Sequence, residues 1–253
     1  MLTKEELEEY SAEAIEIYLD HISIDCVVFG FHEGQMKVLM LKSKNEDGWQ
    51  LPGGFVQKRE PIDVAANRIL ATRTGIDEVF LQQFHVFGAP DRNRQHNEMY
   101  ADMVAKEKNF FAHRFISIGY YALVDFFDAI PTPDEFSEIC TWRDLNDLPP
   151  FLLDHELIFT TALDTLRLQL SYQPIGYNLM PKEFTMPELQ KLYETILGKK
   201  LDRRNFQRRM LGFGILNKLP QTRKGGAHKA PYLYSFDLEN YQAALKEGLK
   251  SGW

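Results

Sequence analysis

The apolar spacing of this 253-residue chain changes character once, near residue 171, and no single repeating architecture accommodates both patterns. Before that point strand-like runs alternate with helical stripes. Leu7, Tyr10, Ala14, Ile15 and Tyr18 recur at helical spacing over residues 3–20, which predicts an amphipathic helix. The β-branched and aromatic runs Ile22 to Phe31 and Gln35 to Leu41 flank the turn residues His32, Glu33 and Gly34 and predict a hairpin. Trp49 to Leu51 lead into a loop of Pro52, Gly53 and Gly54, and Pro61 to Thr74 read as a helix closed by Gly75. Phe80 to Phe87 and Phe115 to Val124 are further strands, and Asp154 to Leu170 is a long helix. This mixture describes an α/β or α+β domain over 1–171. Two prolines and a glycine mark 172–183 as a linker to a second domain, 184–253.

The second domain opens with helix signals. Thr185 and Glu188 form a capping box with Pro187 in the first turn, Leu189, Leu192, Tyr193 and Ile196 share one face, and Gly198 is the stop. Asp202 then caps a second helix, expected to reach Gly214, whose apolar stripe is Phe206, Met210 and Phe213. At about 100° per residue, Arg204 and Arg208 point away from that stripe. A basic, glycine-containing stretch from Pro220 to Pro231 leads into a strand, Tyr232 to Phe236, which completes the pattern of a winged helix-turn-helix.

Charge supports that reading once it is divided. Residues 199–229 hold ten basic side chains against Asp202 alone, a net +9, so the rest of a chain whose total is −7 carries −16. Such a concentration is the footprint of a phosphate-binding surface, although a solvated basic face has the same composition. Arg204, Gln207 and Arg208 are the expected base readers, because Arg pairs bidentately with guanine and Gln with adenine. Arg203 and Arg209, nearer the apolar stripe, and Arg223, Lys224 and Lys229 on the wing are expected at phosphates or in the minor groove. One such module makes few contacts, so a homodimer on a pseudo-palindromic operator is the expected partner arrangement.

Other classes are excluded or disfavoured. With 44% hydrophobic and 26% charged residues the chain is neither collagen-like nor wholly disordered. No apolar run nears the roughly 20 residues of a membrane span, so no membrane partner is expected. Glu5, Glu6, Glu8, Glu9, Glu13, Glu16 and Asp20 make the N-terminus unlike a basic signal peptide, and a cytoplasmic protein is expected. Cys26 and Cys140 cannot form a CxxC zinc cluster, and the seven His show neither HxxH nor HExxH spacing, so no metal and no cofactor are expected.

The segment 54–76 carries the most specific motif. Gly54, Glu60, Arg68, Leu70, Gly75 and Ile76 fall at the spacing G-x5-E-x7-R-E-U-x-E-E-x-G-U, and this segment resembles the box of the Nudix hydrolases. The resemblance implies a mixed β-sheet sandwiched by helices. In that family carboxylates on the box helix hold Mg²⁺, which polarises the phosphate and activates water. Here those three positions are Ile69, Thr72 and Arg73, and the usual acid before the box glutamate is Gln57. No catalytic residue is therefore assigned. A hydrolase recruiting acids elsewhere, such as Asp91, Glu98 or Glu107, is the competing reading.

A box without its metal ligands joined to a winged helix is similar to the Nudix-related transcriptional regulators of bacteria. The segments Gly53 to Lys58, Phe87 to Arg92, Leu153 to His155, Phe184 to Gly198 and Asp202 to Met210 carry that likeness. It implies a small-molecule effector, either ADP-ribose or a sugar such as L-arabinose, and Gln173 to Pro181 look more like the sugar-responsive branch. It also implies operator DNA as partner. The effector is expected beside Lys42, Gln57, Lys58, Asp91, Arg92 and Tyr120, whose donors suit hydroxyl or phosphate oxygens. The alternative function is a Nudix hydrolase of nucleoside-diphosphate-linked substrates such as ADP-ribose, with an accessory basic domain. An insertion at 93–114 departs from the family; it could lid the effector site or extend a hairpin as a solvated segment.

Overall fold

A computed structural model describes residues 3–76, 80–92, 109–170, 172–223 and 230–248. It divides into two compact units, Met1–Phe29 with Lys37–Ala162, and Gly30–Met36 with Leu163–Trp253. Among the described residues the first helix, α1 (Lys4–Ile17), is closed by a capping box between Thr3 and Glu6. It stops three residues short of the sequence expectation, because the chain from Tyr18 to His32 is already extended as β1. The turn to β2 (Gln35–Ser43) uses positive φ at Glu33 (50°) and Gly34 (74°), the backbone twist that a two-residue hairpin requires.

β3 (Trp49–Gln50) is followed by β4 (Gly53–Gln57), which pairs antiparallel with β1 through Gly53 opposite Asp25 and Gly54 opposite Ile24. The expected glycine loop is thus largely strand. Glycine is needed there: a Cβ on Gly53 would lie 2.7 Å from Asp25 Oδ1 and 2.9 Å from the Ile24 carbonyl. Then come α2 (Ile62–Thr74), β5 (Phe80–Phe87), β6 (Ile116–Leu123), β7 (Ser137–Asp144) and α3 (His155–Gln169). The sheet runs β3-β2-β1-β6-β5, with β4 added on β1 and β7 on β2, and β1 and β6 are parallel at its centre.

That central position explains the near-continuous apolar run of β1, which is covered on both faces. Ile24, Cys26 and Val28 meet Ala65, Ala66, Ile69 and Leu70 of α2 in one core. Phe29 faces the other way, with its ring 6.2 Å from that of Phe159 on α3. A second, aromatic cluster packs Leu7 and Ala14 of α1 on Phe110, Phe111 and Phe115. Gly75 ends α2 in the left-handed conformation (φ 71°), as its position predicts.

In the second unit, Ile175, Leu179 and Met180 are buried and Tyr177–Leu179 forms a 3₁₀ turn. β8 (Phe184–Thr185) leads into α4 (Met186–Leu197), which has the expected capping box and ends at Gly198. Asp202 caps α5 (Arg203–Gly212) by accepting from the Asn205 amide, and the helix ends two residues before Gly214. β9 (Leu216–Thr222) and β10 (Tyr232–Phe236) complete a three-stranded sheet ordered β8-β10-β9, and α6 (Leu238–Glu247) follows. Pro220 is tolerated in β9 because that strand is an edge. Tyr193 and Phe206 meet at 5.4 Å and fix α5 against α4.

Candidate functional site

The loop and helix of the box keep their architecture. Glu60 accepts from Arg68 Nε and Nη2, each at 2.8 Å, and from the Gln57 amide, while Arg68 Nη2 also donates to the Phe55 carbonyl. The Arg68 hydrogen bonds hold the Glu60 carboxyl below its ordinary value despite its burial. The stabilisation this contributes is present above the unfolded carboxylate range and is lost as pH falls through the folded value. Glu60→Gln should therefore lower the thermal midpoint at pH 7, and the difference from wild type should close below about pH 4. A gap independent of pH would show that packing, not charge, makes the contribution.

The metal positions are occupied differently. Ile69 is 2% exposed and belongs to the core, with a Cβ on Gly54 only 3.0 Å from its Cδ1. Thr72 donates to the Ile69 carbonyl, and Arg73 Nη2 lies 3.5 Å from Asp134 Oδ2. Nearby Asp63 is engaged by the Tyr120 hydroxyl at 2.6 Å. Among the described residues no group of three or more His, Cys, Asp or Glu is placed to hold a metal ion. A side-chain set of one alkyl, one alcohol and one guanidinium does not fit Mg²⁺, which takes hard oxygen ligands.

A cavity of about 160 Å³ nevertheless opens beside this loop. Phe55, Phe111, Phe115 and Phe136 form its apolar wall, and Gln50, Asn45, Glu46 and Asp134 add polar groups. Asp25, Arg92 and His155 form its buried floor. Arg92 clamps Asp154 through two bonds, Nε at 2.8 Å and Nη2 at 3.0 Å, and reaches Asp25 Oδ2 at 3.4 Å and the Phe115 carbonyl at 3.3 Å. Ser117 donates its hydroxyl to the same Asp25 oxygen. His155 Nδ1 accepts from the Leu51 amide at 2.8 Å, and its Nε2 lies 3.8 Å from Asp25 Oδ1.

Of the six effector residues expected from sequence, Arg92 lines this cavity. Lys42 is paired with Glu138 at 3.2 Å, and Lys58 donates to the Ile15 carbonyl. Gln57 lies at the end of β4, and Asp91 is exposed on a turn. Tyr120 is buried in the core against α2; burial, with the bond to Asp63, pushes its hydroxyl pKa up. Glu98 and Glu107 lie outside the described residues, as does most of the 93–114 insertion. Asp25 and Ser117 were missed, and Asp154 and His155 were noted only within the segment Leu153 to His155, not as site residues. A signal existed for Asp25, the one charged residue in the Ile22 to Phe31 run.

In the second unit, Arg204 and Arg208 are exposed on α5 opposite the buried Phe206 and Met210, Arg203 is exposed on the flank of that stripe, and Gln207 and Arg209 are half-buried. Arg208 Nη2 bonds Asn205 Oδ1 at 3.1 Å. Arg223 is engaged with Glu188 and with the Glu183 carbonyl, so it is tied to the start of α4. Lys218, on β9, stacks over the Tyr232 ring at 3.6 Å. Lys224 and Lys229 lie outside the described residues. No helix among the described residues is long and apolar enough to cross a membrane.

Comparison with known proteins agrees with both units. Residues 19–160 match the NUDIX domain family, and residues 176–236 match the family described as the NrtR DNA-binding winged helix domain. An ADPR-responsive transcriptional repressor, NtrR, from Acinetobacter baylyi is 29% identical over 227 residues, covering 87% of this chain and 83% of the relative. The crystal structure of Shewanella oneidensis NrtR superposes with a TM-score of 0.72 at 23% identity, covering 92% of this chain and 100% of that one. The same protein complexed with a 27mer DNA gives 0.70 at 22%, covering 88% and 96%. A MutT/nudix family protein from Enterococcus faecalis gives 0.65 at 19%, covering 94% and 100%.

Proposed function

The chain belongs to the Nudix family and carries a winged helix domain of the NrtR DNA-binding kind, and from that premise we propose that it is an effector-responsive transcriptional regulator whose Nudix domain binds a ligand without hydrolysing it. One observation carries the reading: the box keeps its glycines and its Glu60–Arg68 brace while Ile69, Thr72 and Arg73 stand where metal-binding carboxylates are needed. The fold is retained, a cavity is retained beside it, and the box carboxylates that would hold a water-activating metal are replaced. The protein acts in the cytoplasm as a homodimer on a pseudo-palindromic operator, with α5 in the major groove.

ADP-ribose is the effector suggested by the repressor of Acinetobacter baylyi, which is named as ADPR-responsive. The wall of Phe55, Phe111, Phe115 and Phe136 suits the stacking of a nucleoside base. A second reading, a neutral sugar such as L-arabinose, is favoured by the charge of the lining. Among the described residues Asp25, Glu46 and Asp134 line the cavity against one guanidinium, Arg92, which is already engaged with two carboxylates. A desolvated diphosphate is opposed there, whereas sugar hydroxyls are not. Titration calorimetry with ADP-ribose and with L-arabinose, each with Mg²⁺ and with EDTA, tests both. Saturable binding of either ligand, unchanged by EDTA and without product, is expected. Turnover of ADP-ribose stimulated by Mg²⁺ through successive purification steps would instead establish the hydrolase.

A further inference from the structure

We propose that Arg73 is a positioning residue for effector binding, its guanidinium holding Asp134, and through Asp134 the ring of Phe136, in the wall of the cavity. The inference rests on the effector reading above and gives a role to the side chain that replaces the last carboxylate of the box. Arg73 lies in the last turn of α2, where a positive charge complements the carbonyl end of the helix. Its Nη2 is 3.5 Å from Asp134 Oδ2, and the two side chains are 17% and 14% exposed, so solvent screens this pair far less than a surface one. The backbone agrees with the side chains. The Ile130 amide donates to the Thr74 carbonyl at 2.7 Å and the Thr132 amide to the Arg73 carbonyl at 3.0 Å, which satisfies terminal carbonyls of α2 and ties the segment before Asp134 to the helix end.

Asp134 passes this constraint to the cavity. Its Oδ1 accepts from the Phe136 amide at 3.1 Å and its carbonyl from the Ser137 amide at 3.2 Å, a turn that fixes where the Phe136 ring leaves the backbone. Asp134 and Phe136 both line the cavity, and the Phe136 ring packs on Tyr10 and Phe111, with centroids 4.9 and 5.6 Å away. A carboxylate at position 73, as the box pattern has it, would face Asp134 with like charge in a poorly hydrated place. Asp134 would then turn away, and the Phe136 turn with it. Arg73 and Asp134 act as a unit, and the loss of the box acid at 73 matches the wall that Asp134 and Phe136 build.

The test is calorimetry on the full-length protein with ADP-ribose and with L-arabinose, beside chemical denaturation of every variant. For the ligand that wild type binds, Arg73→Gln should lose about 10-fold in affinity and Arg73→Glu more, while Arg73→Lys retains most of it. Where Arg73→Glu does not fold, the other two carry the test. The discriminating measurement is the double variant: once Asp134→Asn is present, Arg73→Gln should cost little further affinity, because the guanidinium acts through that carboxylate. A role confined to folding would instead lower the unfolding free energy and leave the affinity of the folded protein alone. Unchanged affinity in Arg73→Gln, or an equal loss with and without Asp134→Asn, would overturn the positioning role and leave the effector reading standing. Wild-type protein that binds neither ligand would overturn the effector reading and the positioning role with it.

Discussion

Arg92→Ala should destabilise the Nudix domain by about 3–5 kcal/mol and abolish effector binding. The Arg92 side chain is 3% exposed and neutralises two carboxylates, Asp25 at 10% and Asp154 at 15%. Removing it leaves both acids in a poorly solvated floor without a counter-charge, and the Phe115 carbonyl without its donor. Arg92→Lys should recover only part of the loss, since an ammonium cannot reproduce the two parallel bonds to Asp154. If the penalty is electrostatic, adding Asp154→Asn to Arg92→Ala should restore some stability, because one of the stranded charges is removed. Chemical denaturation of these three variants and of Asp154→Asn alone measures this. A strictly additive second loss would show that Arg92 contributes through packing.

Arg208→Ala should weaken operator binding by about 1–3 kcal/mol and relax base preference at one position in each half-site. Arg204→Ala should do the same at a neighbouring position. Both side chains project from the face of α5 opposite Phe206 and Met210, whose burial fixes the rotation of the helix. The Asn205 contact of Arg208 is exposed and easily exchanged for a base edge. Arg203→Ala, on the flank, should weaken operator and random DNA alike and flatten the salt dependence. Arg223 carries a different expectation from the one its sequence position suggested. Its engagement with Glu188 and Glu183 makes it a brace between β9 and α4, so Arg223→Ala should lower stability as well as affinity. Fluorescence anisotropy on operator and scrambled duplexes separates these outcomes. Equal losses for Arg208→Ala on both duplexes would place it at phosphate.

The winged helix was legible because its signals are local. Thr185, Glu188, Gly198 and Asp202 each satisfy helix-terminal groups within a few residues, and the stripe of Phe206 and Met210 sets which face the arginines occupy. The box was legible for the same reason, since Glu60 and Arg68 are eight residues apart on a loop and the helix it enters. The floor of the cavity was not. Arg92 meets Asp25 and Asp154 across 67 and 62 residues, and spacing along the chain carries no trace of such a contact. The strand β7 was also missed. Its residues show no clean alternation of burial, and it exists through its pairing with β2, Lys37 opposite Asp144 to Ser43 opposite Ser137. Lys42 and Tyr120 attracted attention as polar groups at strand ends, yet one is spent on Glu138 and the other on Asp63. Donor chemistry alone does not say which face of a strand a side chain occupies.

On the function proposed above, the Nudix domain senses a ligand it does not cleave and the winged helix reports the binding to DNA. Fluorescence anisotropy of the protein on its own upstream DNA, during titration with ADP-ribose or L-arabinose, followed by chromatography of the same sample with Mg²⁺ present, tests it directly. A saturable change in DNA affinity, unaltered by EDTA, with the ligand recovered intact, is expected. Cleavage of the ligand under Mg²⁺, or unchanged DNA affinity at saturating ligand, would contradict it.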